Sequence, residues 1–301
     1  MSTDLPPTKT GEPVPGFPLK FTWLTRDWER IFDAQHDLIK SDIARARAEG
    51  RLVLYLSCPI SSRGGGWSGT NVDIARHVER TILERWGEAF FVLNPAQYQL
   101  ESKGGKGLIV GHAMRLGIDL DKLLATATPG GGDYLRMWTR VLVEDNQGNL
   151  GYDFDAFYFL GPRDVFGFFT EHGSQTLTAG IQAYFARKME SDPDFRDMFS
   201  DPKIPWGAAE TPDPSLAAKA TWMKKRADFL RFYALRASAS FSLGSHDEWA
   251  ILRGINDARR QGSAGQGMLD GDTGDQLAAF FDGTQVSIGA TQTAISRGYA
   301  I

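Results

Sequence analysis

Leu52-Val-Leu-Tyr-Leu-Ser57, followed at once by Cys58-Pro-Ile-Ser-Ser-Arg-Gly-Gly-Gly66, is the stretch on which the fold turns. The first part is nearly continuous in apolar character, as a strand covered on both faces must be. The proline, serines and glycines behind it end the strand in a loop. Upstream, Trp28, Ile31, Phe32, His36, Ile39 and Ile43 recur at helical spacing, and Gly50 stands where a helix stops. Downstream, Asn71 to Trp86 is helical again, with Ile74, Val78, Ile82 and Leu83 on one face. Ala89-Phe-Phe-Val-Leu93, closed by Asn94-Pro95, predicts a second buried strand, and Asp153 to Pro162 a third.

Between the second and third strands the pattern weakens. Residues 96–130 carry glycines at 104, 105, 107, 111 and 117, with one helix expected near 119–127. Gly130-Gly-Gly-Asp133 opens a helix over 134–144, and helical periodicity returns over 173–190 before a break near Pro193. Strands alternating with helices predict an α/β fold, a doubly wound parallel sheet of Rossmann-like type. Such sheets bind ligands outside the carboxyl ends of their strands, which directs attention to the loops after Ser57, Leu93 and Pro162.

The ends of the chain differ from this middle. The first 20 residues contain five prolines and predict a flexible leader. Residues 21–200 are expected to form the α/β domain, and 201–301 an α-rich C-terminal extension or subdomain. In the latter, a basic helix runs from Ser215 to about Leu235, Ala237 to Leu243 is a strand candidate, and Ser245-His-Asp-Glu248 begins another helix.

Composition sets the limits. The chain has 301 residues, 42% hydrophobic and 23% charged, as in an ordinary globular protein. A formal charge of −4 argues against a nucleic-acid partner. One cysteine, Cys58, leaves no disulfide framework, and the five histidines show no metal spacing, so neither metal nor cofactor is expected. No apolar run approaches the ~20 residues of a membrane helix, and no secretory signal opens the chain. A cytoplasmic location with no membrane partner is the expectation.

Several motifs carry candidate chemistry. Ser61, Ser62, Arg63, Gly64 and Gly65 join a strand to a helix, where backbone amides, hydroxyls and a guanidinium can converge on an anion. Gly64, Gly66 and Gly69 spell G-x-G-x-x-G, but six residues intervene between the strand and the first glycine, and the second strand ends in Asn94, not an acid. An NAD(P)-linked oxidoreductase is therefore a rival reading, as is a nucleotide sensor without turnover. Asp133 at a helix start behind three glycines, Asp164 after the third strand and Glu171 seven residues beyond it are the candidate carboxylates; each has a capping or solvated alternative. Ser245-x-x-Glu248 has the form of a capping box, and Cys58 the form of a small buried residue.

Three of these stretches together resemble the nucleoside 2-deoxyribosyltransferase-like superfamily, and especially its nucleoside 5′-monophosphate N-glycosidases. Leu54 through Gly65 is similar to the family's opening strand and phosphate loop, Asp133-Tyr-Leu-Arg-Met-Trp138 to its sugar-facing helix, and Asp155 through Gly173 to its third strand and following glutamate. The resemblance covers residues 51–190. It implies a nucleotide or nucleoside substrate cleaved at its N-glycosidic bond, with hydrolysis and base transfer both open. Ser61, Ser62, Arg63, Gly64 and Gly65 would hold the phosphate, with Asn94 among the substrate contacts. Glu171 would attack C1′ or stabilise the cationic sugar. Asp133 or Asp164 would protonate the base or orient the sugar, and Tyr55 would position the nucleophile. Sites completed across subunits, hence a homo-oligomer, are also implied.

Overall fold

A computed structural model describes residues 7–60, 64–100, 103–126, 128–144, 151–200, 214–264 and 276–287. A small antiparallel pair comes first, β1 (Thr8–Gly11) with β2 (Phe21–Leu24). Then follow α1 (Asp27–Ala48), β3 (Leu52–Ser57), α2 (Ser68–Trp86) and β4 (Phe90–Leu93). Three helices, α3 (Lys103–Leu116), α4 (Leu120–Leu124) and α5 (Gly131–Val143), lead to β5 (Ala156–Phe159). Beyond it run α6 (Pro162–Thr170), α7 (Leu177–Ser191), α8 (Pro193–Phe199), α9 (Pro214–Leu235) and α10 (Leu243–Ala264). The chain then returns to the sheet as β6 (Ala278–Phe281) and β7 (Thr284–Gln285).

The main sheet has the order β4-β3-β5-β6-β7. Pairs β3–β4, β3–β5 and β5–β6 are parallel, and only the edge pair β6–β7 is antiparallel. Strand order therefore reverses at β3, whose neighbours leave in opposite directions along the sheet. The crevice between the carboxyl ends of β3 and β5 is the switch point at which doubly wound folds bind ligands.

Period-two alternation in β3 and β5 divides the core. Val53, Tyr55, Phe157 and Phe159 pack among α1, α5 and α10, where Ile31, Val141 and Ile251 are fully buried. Leu54, Leu56, Tyr158 and Leu160 pack on the other face among Ile74, Phe169, Phe185 and Phe229 of α2, α6, α7 and α9. Both faces are apolar, which is why these strands show no polar alternation in sequence.

Three expectations differ from what is observed. Within the supposed leader, Val14 and Phe17 are buried, and Phe17 packs so closely on α10 that a Cβ on Gly254 would lie 2.8 Å from its ring. The segment 96–130 is more regular than its glycines imply, since α3 runs through it. Gly105 lets α3 approach the preceding turn, a Cβ there falling 2.0 Å from the Gln99 carbonyl oxygen. Ala237 to Leu243 is not a strand but a short 3-10 turn over Ala239–Phe241, because the Ala239 N–H is taken by the Leu160 carbonyl at 2.8 Å as the chain crosses the end of β5. From the last third of the chain, helices α9 and α10 cover opposite faces of the sheet, and β6 pairs with β5.

Candidate active site

The outward step of β3 places Tyr55 and Ser57 side by side on the face that α10 covers. Both hydroxyls donate to one carboxylate, Glu248: Tyr55 Oη at 2.6 Å from Oε1 and Ser57 Oγ at 2.5 Å from Oε2. Glu248 is 8% exposed. Burial pushes its carboxyl from 4.5 up to about 7, with the nearby Asp247 adding to the rise and the two donated hydrogen bonds opposing it. The Tyr55 phenol is raised well above its ordinary value, chiefly by burial and then by Glu248, so it stays a donor. Its ring is fixed by Phe157 at 5.3 Å and Trp138 at 5.7 Å between centroids.

Local sequence explains how Glu248 reaches the sheet. Ser242 opens α10, its Oγ accepting from the Ser245 N–H at 3.2 Å and its carbonyl from the His246 N–H at 3.2 Å. Ser245 and Glu248 therefore do not form the capping box their spacing suggests. Glu248 instead lies at i−3, i−4 and i−7 from Ile251, Leu252 and Ile255, all fully buried. It heads the helix's apolar stripe, so its carboxylate is carried into the core side rather than out to solvent. A glutamate in register with that stripe is the signal by which the sequence could have marked it.

Cys58, next in the chain, points to the opposite face. Its thiol faces Asn94 Oδ1 at 4.0 Å and is driven far up by burial and then by Glu248, which leaves no thiolate at neutral pH. Asn94 caps the short turn Pro95–Gln97, accepting from the Ala96 N–H at 3.0 Å, and donates to Glu79 at 2.8 Å.

The other carboxylates are held elsewhere. Asp133 accepts from the Gly130 N–H at 2.7 Å and, across to β2, from the Leu24 N–H at 2.6 Å, while burial raises its carboxyl. Asp164 accepts from the Gly161 N–H and the Tyr158 hydroxyl, each at 2.8 Å, and burial lifts it to about 6. Both stand as third residues of helices behind glycines, where a carboxylate satisfies orphan amides. Asp282 of the β6–β7 turn also reaches the start of α6, accepting from Arg163 N–H at 2.7 Å. Glu171 sits at the far end of α6, paired with Arg80 and with His77 at 3.3 Å, its side chain 37% exposed. Helix α6 carries it ~14 Å down from the carboxyl edge of the sheet. The carboxylate that Tyr55 meets is thus Glu248, not Glu171.

Ser61, Ser62 and Arg63 lie outside the described residues. Gly64 and Gly65 have φ of +84° and +109° and border a cavity of about 420 Å³ against α9. Lys224, Asp228, Arg231, Phe232 and Arg236 form its other walls. A Cβ on Gly65 would stand 2.7 Å from the Asp228 carbonyl oxygen, and one on Gly66 2.7 Å from the Phe232 ring. Gly65 and Gly66 are thus needed for contact with a helix, whereas a Cβ on Gly69, the last glycine of the G-x-G-x-x-G string, would meet the Trp67 ring. No family model matches this chain, nor does any curated protein or solved structure. Among the described residues no helix is long and apolar enough to cross a membrane, and no three His, Cys, Asp or Glu side chains cluster as metal ligands.

Proposed function

We propose that the protein breaks the N-glycosidic bond of a nucleotide, with Glu248 as the reacting carboxylate and Tyr55 and Ser57 as the hydroxyls that position it. The observation that carries this reading is the Tyr55–Glu248–Ser57 hydrogen-bonded group at the carboxyl end of β3. Strand order reverses there, and a carboxyl titrating near neutrality is suited to act as acid or base. The basic cavity behind Gly64 and Gly65 supports a phosphorylated substrate.

In the reaction, ionised Glu248 bonds to C1′ or faces it as positive charge develops on the sugar. The bond to the base breaks with its electron pair leaving on nitrogen. Water supplies the hydroxyl that ends on C1′ and the proton that ends on the base; a second base in place of water gives transfer. Donation from Tyr55 and Ser57 favours the ionised form of Glu248 and fixes its direction. A second reading, nucleotide binding without turnover, is favoured by one observation: Glu248 is almost closed off, with both oxygens already engaged.

Incubation with a panel of nucleoside mono-, di- and triphosphates, followed by chromatography for free base, tests the proposal. Base release by the native chain that is lost in Glu248→Gln supports glycosidic cleavage. Binding with no release from any nucleotide overturns it and favours the sensor.

A further inference from the structure

Helix α9 and the residue just beyond its end put three cations on the 420 Å³ cavity, Lys224, Arg231 and Arg236, against one lining carboxylate, Asp228. Asp228 engages Lys224 at 2.5 Å and Arg231 at 3.5 Å. No ion pair engages Arg236 among the described residues, and its guanidinium lies 4.0 Å from where a Cβ on Gly64 would stand. Among the described residues, the lining therefore keeps an excess of positive charge.

Extent and charge together narrow the ligand. From position 224 to position 236 the helix advances ~18 Å, so the cations are strung out rather than gathered on one point. The volume falls within the ~300–1,000 Å³ of pockets that hold nucleotide-sized molecules. One phosphoryl group carries at most about two negative charges and satisfies one guanidinium fork, which leaves the rest of the row unmatched. The glycine wall brings backbone, not side chains, against the cavity, which keeps its width for a chain-like anion.

The cavity also has a direction. Beyond Arg236 the chain crosses the sheet edge, the Ala239 N–H binding the Leu160 carbonyl at 2.8 Å, and turns at Ser242 into the helix that carries Glu248. The Arg236 end is thus the one nearer the sheet, and the Lys224 end the one farther along α9.

We infer that this cavity binds a run of phosphoryl groups laid along α9, so that the substrate is a nucleotide bearing two or more phosphates rather than one. The inference rests on the glycosidase reading for its sugar and base, but not for its anion. Lys224 meets the distal phosphate, Arg231 the middle of the chain and Arg236 the phosphate nearest the sugar.

Calorimetric titration of the full chain with orthophosphate, pyrophosphate and tripolyphosphate tests this. Affinity rises along that series by at least roughly tenfold from first to last, and falls steeply with added salt. The pair Arg231→Glu with Arg236→Glu, both exposed positions, one on α9 and one just past its end, abolishes tripolyphosphate binding with an unchanged unfolding temperature, and the single Arg236→Gln weakens it. Lys225→Glu, on the same helix but outside the cavity, leaves it intact. Equal affinity for orthophosphate and tripolyphosphate, or an undiminished double variant, overturns the inference. Tripolyphosphate binding with no base release from any nucleotide would instead remove the glycosidase reading and leave the anion site standing. Base release from monophosphates alone, without tripolyphosphate binding, would do the reverse.

Discussion

Two acids stand at the carboxyl edge of one sheet, half-buried Asp164 behind β5 and buried Glu248 against β3, and desolvation lifts them to about 6 and about 7 respectively. Their partners separate them. Asp164 accepts from a backbone amide, and its removal would strand the Gly161 N–H at the start of α6. Among the described residues, Glu248 accepts only from the Tyr55 and Ser57 hydroxyls, and no helix end depends on it. An acid with backbone partners is part of the scaffold. One held by side-chain hydroxyls can gain or lose a proton without unpicking main-chain structure, and only such an acid is free for chemistry.

The largest effect should come from removing the reacting oxygen while keeping the shape. Glu248→Gln is expected to lower kcat for base release by ~10²–10⁴-fold with unchanged circular dichroism. Wild-type kinetics in the variant would erase the distinction between the two acids.

The proton on Glu248 should also register in stability. Its folded value of about 7 lies above the 4.5 of the exposed chain, so between those values the folded protein keeps a proton that the unfolded chain has released. Stability from this group is complete below pH 4.5 and is lost as pH rises through 7, a difference of about 3 kcal/mol. Denaturant unfolding at pH 5 and pH 8 should show that decline in the native chain, and a smaller one in Glu248→Gln. The residual slope in the variant includes Asp164 and Asp133, whose shifts have the same sign.

Smaller changes sharpen the contrast from the scaffold side. Asp164→Ala is expected to cost about 1 kcal/mol of unfolding free energy through the lost cap, with turnover per folded molecule retained. Glu171→Gln, in its half-exposed pair with Arg80 and His77, should change stability by less than about 0.5 kcal/mol and leave kcat as it was. A loss of turnover there would return the catalytic role to α6.

Much of the fold was legible in the sequence because its strongest signals are local. The continuous apolar runs of β3, β4 and β5 and the stripes of α1 and α2 announce a parallel sheet covered on both faces. The closing strand β6 was not legible: Ala278-Ala-Phe-Phe281 is short, and its partner β5 is remote in sequence. Helix α3 was hidden by its glycines, of which Gly105 serves close packing on the preceding turn. At the site, Tyr55 was legible from its place in β3. Glu248 was not, because Ser245-x-x-Glu248 mimics a cap, and only the helix start at Ser242 reveals that the glutamate belongs to the buried stripe.

The most direct test is a carbon-13 titration of glutamate carboxyls in the native chain and in Glu248→Gln. One signal should titrate near pH 7, vanish in the variant, and move to higher pH when Tyr55→Phe removes a donor to the carboxylate. If every glutamate signal titrates below about pH 5, Glu248 is an ordinary solvated acid, and the site described around it does not exist.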